Sequence, residues 1–180
     1  MDKKTDYLKF YDYEHYLLTE VGPRFRKTGE LSAADLYLVF IWKANRAKNY
    51  HRDRLKGLVP TRCFQDAADA IASSLRRCTG EKERLEMLMN KWGFQLPTAS
   101  AILTIFYPDE FTVYDYRVRE ELGLTENLSQ RVFSDSLWSR YLAFREKVKS
   151  ETPSHFCLRD KDRFLIGRSV RREVERDCTA

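Results

Sequence analysis

Apolar residues recur along this chain with the 3.6-residue spacing of amphipathic helices. Phe64, Ala67, Ala68, Ile71 and Leu75 fall on one helix face, and Leu85, Leu88, Met89 and Trp92 on the face of a second. Thr79-Gly80 separates the two, the glycine suiting a helix stop. Phe133, Leu137, Tyr141, Phe144 and Val148 trace a longer helix that ends near Thr152-Pro153, because the residue before a proline is pushed out of helical geometry. Two stretches are apolar on every side, Leu36–Trp42 (LYLVFIW) and Ala99–Phe106 (ASAILTIF). The first follows the capping signal Ser32-Ala33-Ala34-Asp35 and continues into Lys43-Ala44-Asn45-Arg46-Ala47, which favours a buried helix over a buried strand. The second stops at Tyr107-Pro108, and helices apolar all round belong in the middle of a bundle. The pattern predicts an all-α protein.

Composition agrees and removes several alternatives. The 180 residues suit a single domain, and the seven Gly and five Pro are too few for a chain built of many turns. With 43% hydrophobic and 33% charged residues, the chain reads as globular rather than disordered. No apolar run approaches the roughly 18–20 residues that cross a bilayer, so no membrane partner is expected. The start, Met1-Asp2-Lys3-Lys4-Thr5-Asp6, has no apolar signal behind it, which predicts a cytoplasmic protein. Cys63, Cys78, Cys157 and Cys178 are scattered without a CxxC pair, and His15, His51 and His155 have no second ligand at i+3 or i+4. Reduced thiols, no metal and no cofactor are therefore expected. Nucleotide-binding glycine loops and the common hydrolase motifs are absent.

Charge is uneven. The net charge is +5, yet between Lys43 and Arg62 stand seven basic residues (Lys43, Arg46, Lys48, Arg52, Arg54, Lys56, Arg62) against Asp53 alone. A basic stretch with Tyr50 and His51 inside it suits a polyanion, and a solvated Arg-rich surface is the plainer alternative. From Arg159 to Asp177 the seven basic and five acidic residues alternate as on an exposed helix with i, i+4 pairing.

The segment from Leu85 to Gly123 reads as helix, short turn at Gly93, helix, loop, and an Asp opening a further helix. Gly93-Phe94-Gln95-Leu96-Pro97-Thr98-Ala99, followed by Val113-Tyr114-Asp115-Tyr116-Arg117-Val118-Arg119 with Asp115 22 residues after Gly93, resembles the helix-hairpin-helix DNA glycosylase superfamily over about forty residues. In that family the hairpin holds a DNA phosphate, and a Val-Asp-x-x-Val-Arg segment bears the catalytic carboxylate. The resemblance implies a two-lobed helical bundle containing a helix-hairpin-helix, with one lobe from about 1–62 plus 124–180 and the other from about 63–123. The Ala99–Phe106 helix would be central and a cleft would lie between the lobes. Double-stranded DNA is the implied partner and release of a damaged or modified base the implied reaction. Gly93, Phe94, Gln95 and Thr98 fall on the hairpin, and Asp115 on the catalytic position.

Departures from the family pattern narrow the expectation. Gln95 replaces the second hairpin glycine, which distorts the turn or weakens phosphate binding. Pro97 occupies the position of the Schiff-base lysine of bifunctional members, so a monofunctional, water-using enzyme is implied. Only Cys157 and Cys178 follow Asp115, too few for the iron–sulfur cluster some members carry.

The residues themselves leave alternatives open. A carboxylate beside a sugar stabilises the cation formed as the base departs, but Asp115 is equally placed to be an ordinary N-cap. Tyr114 and Tyr116 flank it and could stack on an extruded base or pack in the core. Arg117 could meet a phosphate or an internal acid. Trp42 and Lys43 close an apolar stripe from which the Lys43 amine could reach a cleft or snorkel to solvent. Arg46, Lys48, Arg52 and Arg54 are the expected phosphate contacts. Two rivals to the enzyme remain: a non-catalytic helix-hairpin-helix DNA-binding module of a repair or defence system, and an all-α protein-interaction domain.

Overall fold

The computed structural model describes residues 7–129 and 132–178, and the polar start at residues 1–6 lies outside them. Regular structure among the described residues is entirely helical, as the apolar periodicity predicts. No helix among them is long and apolar enough to cross a membrane. The chain divides into two compact units, Met1–Phe94 and Gln95–Ala180.

In the first unit, α1 (Tyr7–Tyr11) and α2 (Tyr13–Tyr16) lead through a π-helical turn, Leu17–Val21, into α3 (Gly22–Thr28). Helix α4 (Ala33–Ala44) starts as the capping signal predicts: the Ser32 Oγ accepts from the Asp35 amide at 3.1 Å. The Asp35 carboxylate is itself buried, taking the Tyr16 hydroxyl at 3.0 Å, the Ser32 hydroxyl at 2.6 Å and the Arg24 guanidinium. The sequence extends this helix through Ala47, whereas the structure ends it at Ala44, follows with a 3₁₀ turn at Asn45–Ala47 and restarts as α5 (Lys48–Gly57). Asn45 sits at the break, where its side-chain and backbone oxygens receive the Lys48 amine at 2.7 and 3.1 Å. A short polar side chain that bonds locally competes with helix continuation.

Helix α6 (Phe64–Arg77) buries Ala67, Ala68, Ile71, Ala72 and Leu75, with Phe64 half-buried. Each large apolar side chain so buried contributes roughly 1.5–3 kcal/mol. Helix α7 (Glu81–Glu86) widens into a π-helical turn, Met87–Lys91, and Leu85, Leu88, Met89 and Trp92 are all buried.

The second unit opens with α8 (Leu96–Phe106), buried at Leu96 and at every residue from Thr98 to Phe106. Two of its polar members are satisfied within the fold: the Thr104 hydroxyl donates to the Ser100 carbonyl at 2.8 Å and the Ser100 hydroxyl to the Pro97 carbonyl at 3.2 Å. The short α9 (Tyr116–Glu121) is followed by α10 (Asp135–Ser150), which buries Leu137, Tyr141, Phe144 and Val148. Helix α11 (Leu158–Cys178) departs from its sequence reading in its first turns. Beyond Val170 it is the exposed, ion-paired helix the sequence suggests, with Arg171 and Glu175 at 2.7 Å. Near its start, however, Arg159, Lys161 and Asp162 are buried. They are tolerated because each takes backbone or charged partners: the Lys161 amine donates to the Pro153 carbonyl at 2.6 Å and the Thr152 hydroxyl at 3.1 Å, and Asp162 pairs with Arg159.

Candidate functional site

The turn at Gly93 joins the Met87–Lys91 π turn to α8. Gly93 has φ +62°, the left-handed conformation that favours glycine, and the Phe94 amide donates back to the Leu88 carbonyl at 3.1 Å. Phe94 and Thr98 are buried, so of the four residues assigned to the hairpin only Gly93 and Gln95 reach the surface. Pro97 removes one donor from the first turn of α8, and the Thr98 and Ala99 amides both donate to the Gln95 carbonyl, at 3.0 and 2.9 Å. The Gln95 side chain does not cap the helix. Lys91, the nearest lysine, donates to the Ser74 hydroxyl at 3.1 Å.

Arg54 is placed differently from the surface phosphate contact that its basic stretch suggests. Its guanidinium folds under the turn at Gly93, where Nη1 donates to the Trp92 carbonyl and the group lies 5.2 Å from the centroid of the Phe94 ring. Burial lowers its pKa. A Cβ on residue 93 would stand 2.5 Å from Arg54 Nη1. Gly93→Val therefore faces both the left-handed backbone and the displaced arginine, and is expected to cost at least about 1–3 kcal/mol in chemical denaturation.

His51 lies beside Arg54 in the same cluster, with ring centroids 5.1 Å from Phe40 and 5.6 Å from Phe94. Desolvation, with a smaller contribution from the Arg54 charge, pushes its pKa down to about 4. An unfolded chain binds this proton near pH 6.5 while the folded chain does not until about pH 4, so stability falls as pH drops through that window. His51→Phe is expected to flatten this part of the stability–pH curve, read from urea midpoints at pH 7 and pH 4.5.

The remaining basic candidates stay near the surface. Arg46 is exposed, Lys48 is held by Asn45, and Arg52 bonds its neighbour Asp53 at 2.8 and 3.0 Å. Trp42 and Lys43 form the last turn of α4, both half-buried.

In the second unit, Asp115 is the N-cap of the six-residue α9, half-buried, with Oδ1 accepting from the Arg117 amide at 2.9 Å. The chain reaches it through a tightly fixed segment. Both backbone groups of Thr112 bond the Tyr141 hydroxyl, at 3.1 Å from the amide and 2.8 Å to the carbonyl. Asp162 Oδ2 accepts from the Thr112 hydroxyl at 3.1 Å and the Val113 amide at 3.3 Å, and the Ser100 Oγ accepts from the Tyr114 amide at 2.9 Å. Three buried side chains from α8, α10 and α11 thus hold residues 112–114 immediately before the carboxylate. Sequence reading missed Tyr141 and Asp162 as site-supporting residues. The available signal was Asp162 itself, which occupies a core position between Leu158 and Leu165 on the helix face.

The two tyrosines that flank Asp115 have different placements. Tyr114 is buried against Phe144, with centroids 4.9 Å apart, and its hydroxyl bonds the Glu126 carbonyl and the Leu128 amide, which is the core-packing alternative. It borders a cavity of about 230 Å³ with Arg140 and Lys147. Tyr116 is exposed and receives the Arg117 Nε at 3.1 Å. Arg117 finds its internal acid in Glu173, at 2.8 Å, and Glu121 pairs with Arg168 and Arg172, so salt links tie α9 to α11. Tyr116 and Arg117 share a surface cavity of about 310 Å³ with Glu121 and Arg172. Among the described residues no group of three or more His, Cys, Asp or Glu is arranged to hold a metal ion.

No family model, no curated protein and no solved structure matches this chain.

Proposed function

We propose that the protein binds duplex DNA and removes a base by hydrolysing its N-glycosidic bond, with Asp115 as the catalytic carboxylate. The observation that carries this reading is the pinned segment Thr112–Tyr114, which buried Ser100, Tyr141 and Asp162 hold so that a half-buried carboxylate follows at a helix start. Positive charge develops on the sugar as the base leaves, and a fixed carboxylate stabilises it and orients an attacking water. The target nucleotide must leave the stack to be reached. With Pro97 in the hairpin and Lys91 bonded to Ser74, water is the nucleophile and the strand remains intact. Arg46, Lys48 and Arg52 provide surface charge for the phosphates, and Gly93 and Gln95 are the exposed residues of the hairpin turn.

Binding tests the first half of this reading. Affinity for a duplex is expected to fall steeply with salt, and changing Arg46, Lys48 and Arg52 together to Ala to reduce the slope of log K against log salt by about 2–3. Unchanged affinity and slope would make the stretch a solvated surface. The non-catalytic DNA-binding reading draws on one specific observation: Asp115 Oδ1 already has a structural task in capping the Arg117 amide.

A further inference from the structure

We propose that Arg54 is a positioning residue for DNA binding, shaping the turn at Gly93 and lending it positive charge from beneath without touching the nucleic acid. The inference rests on the DNA-binding reading above and concerns a residue whose sequence context suggests direct phosphate contact. Helix α5 puts Arg54 three residues after buried His51, so both point under the hairpin. The guanidinium satisfies the Trp92 carbonyl, lies over the Phe94 ring, and fills the space a side chain at Gly93 would need. One planar group thereby fixes three consecutive residues of the turn. A lysine has no such plane and offers a single ammonium.

The charge is also uncompensated. Arg54 has no ion pair among the described residues, and its Nε and Nη2 are buried without a hydrogen-bond partner. A buried cation lacking a counter-ion is costly, and an anion brought to the exposed face of Gly93 relieves that cost. The turn is thus electrostatically prepared for phosphate although several of its own amides are already bonded within the fold.

Hydrogen exchange and salt-dependent binding of a short random-sequence duplex, measured on wild type, Arg54→Met, Arg54→Lys and Arg46→Ala, test the proposal. In Arg54→Met the Phe94 amide is expected to exchange at least about tenfold faster while Ile71 and Leu75 in α6 stay protected. Duplex affinity should fall about tenfold with the salt slope lowered by well under one, because the charge acts from beneath the turn, whereas Arg46→Ala should lower the slope by about one. Arg54→Lys should keep the fast exchange despite its charge. Unaltered Phe94 exchange in Arg54→Met would overturn the proposal, and so would a slope reduced as in Arg46→Ala, which marks direct phosphate contact. Wild-type protein that binds no duplex would overturn the functional reading and the DNA part of this inference together, and the exchange data would still decide whether Arg54 holds the turn.

Discussion

Asp162→Ala is expected to lose about 3–5 kcal/mol of stability, because it leaves the buried Arg159 without its carboxylate and strips Thr112 and Val113 of their acceptor. Asp162 is fully buried, so water cannot replace what is removed. Asp160→Ala, in the same turn of α11 but on its exposed side, should stay within about 0.5–1 kcal/mol of wild type. Urea midpoints of the two variants make the comparison, and equal midpoints would show that the Arg159–Asp162 pair does not anchor the segment. Tyr141→Phe refines it: the ring still stacks on Phe111 and Phe144, and only the hydroxyl that holds Thr112 is lost. A loss of roughly 1–3 kcal/mol is expected there.

Asp115→Asn should lower base release by at least about a hundredfold to a thousandfold, while leaving fold and duplex affinity close to wild type. The substitution separates the capping bond of this residue from its proposed catalytic role. Asparagine caps a helix about as well as aspartate, so the bond to the Arg117 amide survives and only the negative charge is lost. Asp115→Ala removes cap and charge together and should add a destabilisation of about 1 kcal/mol. Borohydride should trap no covalent adduct with any of these proteins, since Pro97 offers no amine.

The helices were legible because their signal is local. The α6 and α10 faces, the all-apolar α8 and the Ser32 cap follow from spacing and residue type within a few turns. What escaped depends on partners far along the chain. Arg54 reads as one more cation in a basic run, and only its bond to Trp92, 38 residues later, takes it under the turn at Gly93. Asp162 sits in an alternating charged helix that looks solvated, yet its acceptors serve Thr112 and Val113, 50 and 49 residues earlier. From sequence alone Tyr114 suits a pocket or the core, and only distant partners, the Phe144 ring and the 126–128 backbone, show that it is packed while also bordering a cavity. The break at Asn45 and the two π turns carry no periodic signature, because a single inserted or tightened bond leaves the apolar spacing almost unchanged. Of the two readings the sequence offers for Asp115, the N-cap is the one visible in its bond to the Arg117 amide before α9.

Hydrolysis of an N-glycosidic bond is the activity proposed for this chain. Its most direct test is mass spectrometry of the small molecules released when wild-type protein is incubated with duplexes carrying alkylated, deaminated and oxidised bases. A free base is expected from at least one of these duplexes, with an abasic site in an unbroken strand and release at least about a hundredfold slower by Asp115→Asn. Salt-sensitive binding to every duplex with no base released from any of them would contradict it and leave a DNA-binding module without chemistry.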